Sequence, residues 1–210
     1  MKKLFWEDPY KKKCKAKVEK VDGKKIILDQ SIFFAFSGGQ ASDKGTIGGI
    51  PVLSAEKEDP ITYTLELEPG FKEGDMVKVK INWKHRYKLM KLHSAAHIVY
   101  EIFKETAGSK KIIGSNVSVK KARIDFEMDE NVNEYLPEIE KKTKKIIQND
   151  LKIETYEDEN EKGKRWWEIS GKWKMPCGGT HVKSTSEIGE IELKRKNIGA
   201  GKERIEIYLK

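Results

Sequence analysis

Between residues 14 and 82, apolar and polar side chains alternate in short runs, and no stretch has the length or period of a helix. Ala16-Lys17-Val18-Glu19-Lys20-Val21 alternates, Asp22-Gly23 supplies a turn, and Lys25-Ile26-Ile27-Leu28 resumes a strand. Residues 45–50, 63–67 and 76–81 are further predicted strands, the last preceded by turns at Pro69-Gly70 and Glu73-Gly74. Many short strands punctuated by Gly and Pro predict a small β-barrel over residues 1–83.

The texture changes at about residue 83. Residues 84–106 contain neither Gly nor Pro, and Tyr87, Met90, His93 or Ser94, His97, Ile98, Glu101 and Ile102 recur at helical spacing until Ala107-Gly108-Ser109 ends the run. A strand is predicted at 122–126. Asn133 is the expected cap of a second helix reaching about 149, with Leu136, Ile139, Thr143, Ile146 and Ile147 on its inner side. Residues 167–169, 188–193 and 204–209 are predicted strands of one sheet that the two helices cover. The expected fold class is α+β. A small N-terminal barrel (1–83) precedes a two-layer α/β domain (84–210) with helices packed on an antiparallel-rich sheet. No internal repeat or low-complexity segment interrupts it.

Charge adds one clue. The chain carries 42 Lys and Arg against 34 Asp and Glu, a formal net charge of +8. This suits either an acidic partner, nucleic acid being the commonest, or merely an ionic surface. Cys14 and Cys177 lie far apart, and the N-terminus turns charged before any apolar stretch develops. A reducing, cytoplasmic setting is therefore expected, with Cys177 kept as a thiolate and Cys14 a strand residue. No run approaches the 18 or more apolar residues that a membrane span requires.

The chain has four histidines and two cysteines. Three of the former and one of the latter fall in two frames, His93-Ser94-Ala95-Ala96-His97 and Cys177-Gly178-Gly179-Thr180-His181. Helical side chains four apart stand one above the other, so His93 and His97 can share one ion. A turn bringing Cys177 and His181 would complete a set suited to zinc. Ser94 stands where a metalloprotease helix has Glu. Pro176-Cys177 is followed by Thr180 where a nucleobase deaminase has its second cysteine, and no H-x-E is present. Residues 98–176 separate the frames, too many for a zinc finger. Four protein donors fill a tetrahedral zinc, whereas catalytic zinc keeps one position open. One loosely held donor such as His181, displacement of one donor by substrate, or an ion that only positions the groups around it would resolve this.

Two glycine-rich segments add candidates. Ser37-Gly38-Gly39-Gln40-Ala41-Ser42-Asp43-Lys44-Gly45 is not a P-loop, and reads as a tight turn beside a strand or as a ligand-facing loop. Backbone N–H groups at Gly178-Gly179 are candidates for holding an oxyanion.

These frames together resemble the AlaX family of free-standing alanyl-tRNA editing proteins, related to the editing domain of alanyl-tRNA synthetase. The resemblance is carried by His93-x-x-x-His97, Arg123-Ile124-Asp125-Phe126 and Cys177-Gly178-Gly179-Thr180-His181-Val182. The upstream Ser37-Gly38-Gly39-Gln40-x-x-Asp43-x-Gly45 resembles the glycine motif of the medium-length and longer forms. It implies a zinc-dependent hydrolase acting on the ester of mischarged alanine tRNA, carrying serine and also glycine. One Zn²⁺ per chain would be held by His93, His97, Cys177 and His181, which are also the catalytic set, and Gly38 and Gly39 would help recognise the substrate. The synthetase domains commonly carry a glutamine two residues before the Gly-Ser matching Gly114-Ser115; here Ile112 takes that place.

Rejecting alanine while accepting serine calls for a polar contact to the extra hydroxyl, since size cannot exclude the smaller residue. Ser42, Asp43, Ser115 and Asn116 are candidates. Lys110 and Lys111, with Arg86, Lys88, Lys91, Lys120 and Lys121, are the expected tRNA contacts. Lys141, Lys142, Lys144 and Lys145 read as a second cluster or a solvated helix face. One of Trp166, Trp167 and Trp173 is a candidate for stacking on the terminal adenosine, though of two adjacent strand tryptophans at least one is expected in the core. No protein partner is indicated and a monomer is expected. The competing reading is a tRNA-binding module whose zinc is purely structural.

Overall fold

In a strand, successive side chains face opposite ways, so alternation along residues 13–22 builds a wall with one dry face. The computed structural model describes residues 1–210, which divide into two compact units, Met1–Tyr87 and Lys88–Lys210. The first contains β1 (Lys2–Lys3), α1 (Leu4–Glu7), β2 (Lys13–Asp22), β3 (Lys25–Leu28), β4 (Gln30–Ser31), β5 (Gly45–Ile47), β6 (Ile50–Glu56), β7 (Thr62–Leu65) and β8 (Met76–Ile81). Six of these close into an antiparallel barrel in the order β2-β3-β7-β6-β5-β8, leaving no open sheet edge. Ala16, Val18, Ile26, Leu28, Ile47, Tyr63, Leu65 and Val79 fill its interior. The single strand expected at 45–50 is instead a hairpin. Gly48 and Gly49 both take positive φ, 59° and 88°, and turn β5 back onto β6, pairing Ile47 with Ile50.

Helix α2 (Trp83–Ala107) begins at the end of the first unit and supplies the first element of the second. It is followed by β9 (Lys111–Val117), β10 (Ala122–Glu127), α3 (Leu136–Gln148), β11 (Glu154–Glu157), β12 (Arg165–Ile169), β13 (Trp173–Pro176), β14 (Ile191–Asn197) and β15 (Lys202–Leu209). The expected single sheet is two antiparallel sheets, β14-β15-β10-β9 and β11-β12-β13. A tight turn after Ile169, closed by Lys172 N–H donating to its carbonyl at 2.9 Å, folds β13 onto β12 and makes the separate sheet.

Phe103 of α2 stacks on Phe126 of β10 at 4.1 Å, which seats the helix on the larger sheet. The inner side of α3 is buried at the five positions that the periodicity names. Asn133, however, is not its cap. Asn131 accepts the Asn133 N–H at 3.0 Å and heads a short 3-10 turn, and α3 then starts from Tyr135 with Pro137 in its first turn, where a missing N–H costs nothing.

Candidate metal centre and active site

His93 and His97 sit on consecutive turns of α2, on the side that also carries buried Leu89 and Met90. The second pair comes from the loop after β13. There Cys177 N–H donates to the Arg165 carbonyl at 2.8 Å, tying the start of the loop to β12. The Ser94 hydroxyl accepts the Val182 N–H at 3.3 Å, tying its end to α2. These two anchors bring the frames together. One donor atom from each of His93, His97, Cys177 and His181 lies within 4.8 Å of the other three. The Cys177 sulfur is 3.2 Å from His181 Nε2 and 3.6 Å from His93 Nε2.

The chemistry of this set fits a metal. Burial pushes the His93 imidazole down to about 4, and His97 and His181 well below their ordinary value, so all three rings keep their lone pairs at neutral pH. Burial also pushes the Cys177 thiol up to about 11, opposed by the Gly179 N–H and the Arg165 charge, so a thiolate here calls for a cation. His97 Nδ1 is buried without a hydrogen-bond partner, so protein groups alone do not satisfy that ring. Three imidazoles and one sulfur at this spacing are the donor set of a borderline-soft divalent ion.

Similar sequences occur in other proteins. A family model described as the threonyl and alanyl tRNA synthetase second additional domain matches residues 167–206. The alanyl-tRNA editing protein AlaX-M of Pyrococcus horikoshii is 38% identical over 99% of this chain and 97% of its own length. The chain belongs to the AlaX family of alanyl-tRNA editing proteins. The AlaX-M protein of Methanosarcina barkeri is 31% identical, with 96% of each chain covered. Alanine–tRNA ligase of Methanococcus maripaludis strain C7 is 35% identical over 97% of this chain, a match that spans 25% of the ligase.

Other sites named from the sequence are placed less uniformly than the four clustered metal-donor residues. Gly38 and Gly39 are the central residues of a two-residue hairpin turn, with φ of 58° and 83°. Ser37 and Gln40 close it by exchanging backbone hydrogen bonds at 3.0 and 3.2 Å. Asp43 is buried: its carboxylate accepts the Phe34 N–H at 2.7 Å and is gripped by Arg86 through two nitrogens, one of them Nε at 2.8 Å. Arg86 is itself fully buried and also donates to the Pro9 and Ile32 carbonyls. The pair is therefore a clamp inside the barrel unit, and Arg86 is not exposed to RNA. Ser42 likewise serves the loop, accepting the Phe36 N–H at 2.7 Å.

Ser115 and Asn116 are neighbours on β9 and point to opposite faces, Asn116 beside Arg123 and Ser115 beside Ile124, so they cannot line one wall together. Gly179 N–H points at the Cys177 sulfur at 3.4 Å, so that group serves the thiol rather than an oxyanion. Lys110, Lys111 and Lys121 are paired with Glu130, Glu127 and Glu206, at 2.7, 2.8 and 2.5 Å. Trp167 is fully buried, edge-on to His97 at 4.9 Å, whereas Trp166 faces the other way and donates to Asp158 at 2.6 Å. Trp173 is buried and donates to Glu105 at 2.8 Å.

Sequence reasoning passed over Ser94 and Arg165. Ser94 had a usable signal, a small hydroxyl one residue beyond a ligand on an inward helix face. Arg165 had none, since a charged residue at a strand start ordinarily faces water.

Proposed function

We propose that this chain is a trans-editing deacylase that hydrolyses the ester of mischarged alanine tRNA, releasing free amino acid and tRNA. Serine and glycine are the proposed misattached residues. The observation that carries the reading is the four-donor cluster, set in a chain of a family whose members are named as alanyl-tRNA editing proteins. The unit Lys88–Lys210 would be the editing body, with the Gly38-Gly39 turn of the barrel unit serving substrate recognition.

His93, His97, Cys177 and His181 would hold one zinc ion per chain, and such an ion, when bound, polarises an ester carbonyl as a Lewis acid. The chain's own residues do the rest. Trp167 walls one side of the cluster, packed edge-on against His97. Ser94 holds His181 so that Nε2 faces the cluster. No covalent nucleophile is needed, and Cys177 would be committed to the metal. Ser115, Asn116, Lys110 and Lys111 remain proposed substrate contacts, whereas Asp43, buried against Arg86, would serve the substrate only through the loop it braces. A cytoplasmic monomer is the proposed working form; no helix is long and apolar enough to cross a membrane.

Four protein donors also suit a closed structural site, which favours a tRNA-binding module as the second reading. One assay separates them. Alanine tRNA charged with serine, glycine or alanine is incubated with the protein and loss of the ester is followed. Turnover of the first two with alanine spared is expected; tight binding with no turnover would establish the module instead.

A further inference from the structure

The outer wall of the barrel sets lysines directly opposite one another. Across the β2–β8 pairing, Lys13 faces Lys80 and Lys15 faces Lys78, while Ala16, Val77 and Val79 of the same strands point into the core. All four lysines are exposed. None of the ion pairs in the chain uses them. Like charges directly opposed on an antiparallel pair disfavour it, and no carboxylate is in salt-bridge contact with any of these four. The row leads into a surface groove of about 580 Å³ lined in part by Lys12, Lys80 and Trp83. Lys12 Nζ lies 4.8 Å over the Trp83 ring, which is stacked on Tyr87 at 5.2 Å.

We propose that this wall docks the sugar–phosphate backbone of the tRNA substrate, a contact made by the barrel unit itself. The proposal rests on the tRNA reading above. Successive lysines on one strand stand about 6.8 Å apart, from a rise of about 3.4 Å per residue. That regular ladder matches a polyanion whose charges repeat, which a folded acidic protein does not offer. Phosphates lying across four lysines that have no carboxylate partner would neutralise charges set against one another, releasing counterions as they bind.

The test uses the full chain with Lys13, Lys15, Lys78 and Lys80 all changed to Gln, and uncharged alanine tRNA as the probe. Binding is titrated at several salt concentrations, with melting temperature recorded for both proteins. Affinity at low salt is expected to fall at least about tenfold, and the slope of log affinity against log salt to shrink by about 3. The melting temperature is expected to hold or rise as the opposed charges go. Unchanged affinity and slope in a folded variant would overturn the proposal. So would intact tRNA binding together with lost binding to polyglutamate or to phosphatidylserine vesicles. Deacylation of serine-charged tRNA by the parent protein is measured in parallel. Wall-dependent tRNA binding without turnover leaves this inference standing while the editing reading fails. Turnover with wall-independent binding does the reverse.

Discussion

The Ser94 hydroxyl lies 3.1 Å from His181 Nδ1, on the far side of a ring whose Nε2 lies 3.2 Å from the Cys177 sulfur. One nitrogen of His181 is thus held by α2 and the other is aimed at the Cys177 sulfur. With Nδ1 protonated toward Ser94, Nε2 keeps its lone pair for a metal. Partners of this kind typically contribute 10–100-fold in metal affinity. Ser94→Ala is therefore expected to weaken zinc binding by about that factor, read by competition with a chelator. Nitrogen chemical shifts of His181 should show a loss of the single tautomer. Parent-like affinity and shifts would remove Ser94 from this role.

Zinc stoichiometry is expected to be one per chain, lost together with the cluster. Cys177→Ala and His93→Ala each remove one of four donors, and elemental analysis of the purified variants should find little metal. Full occupancy in both would mean that the four residues do not share an ion.

The buried Arg86–Asp43 pair should be costly to break from one side. Asp43→Ala strips the carboxylate from a fully buried guanidinium and leaves the Phe34 N–H unpaired. Removing one partner of a buried pair typically costs about 3–5 kcal/mol, and urea unfolding should show a loss of that size. A loss under about 1 kcal/mol, typical of surface positions, would mean that the clamp contributes little to the fold.

Acid should weaken the larger sheet through Asp125. Burial pushes its carboxyl up, but hydrogen bonds from Arg204, at 2.7 and 2.9 Å, and from Arg123 outweigh it and hold the group below 3.8. A carboxyl whose folded pKa is depressed stabilises the fold above its unfolded value, and that stability is lost as pH falls through the lower folded value. Asp125→Asn is expected to lose stability at pH 7 and to show a shallower decline below about pH 4, measured by thermal melts across pH. An acid limb identical to the parent's would contradict this.

The Gly38-Gly39 turn can be tested without unfolding the loop. A Cβ at Gly38 meets nothing within 4 Å, so only its φ of 58° opposes a side chain, and Asn tolerates that region. Gly38→Asn should keep the melting temperature within a few degrees while lowering deacylation, if the turn serves the substrate. Gly38→Val adds the strain of a β-branched residue at positive φ, about 1–2 kcal/mol, and should lose stability as well. Full activity in the stable Asn variant would leave the pair a hairpin turn only.

Much of the architecture was legible because local periodicity carried it. The alternation of Met76–Ile81 and the inner side of α3 translate directly into strand and helix faces. The i, i+4 histidines needed only helix geometry. The strand β9 was missed because Lys111-Ile112-Ile113-Gly114 does not alternate. Ile112 and Ile113 are 42% and 40% exposed, and the pairing with β10 shifts register between Asp125 and Phe126. Gly114 fits there because a Cβ would come within 3.0 Å of the Asp125 carboxylate, a contact made on a neighbouring strand.

By itself, then, the sequence determined the barrel's alternating walls, the two long helices, and the identity of four residues with metal-binding chemistry. Only the tertiary structure decided that Cys177 and His181 reach α2, because two long-range hydrogen bonds, at Arg165 and Ser94, set that loop. It alone decided that Asp43 and Arg86 neutralise each other out of water, since the charge of a side chain says nothing about which partner it will meet. Periodicity is a property of neighbours along the chain; burial and pairing belong to neighbours in space, and most of those here are distant in sequence.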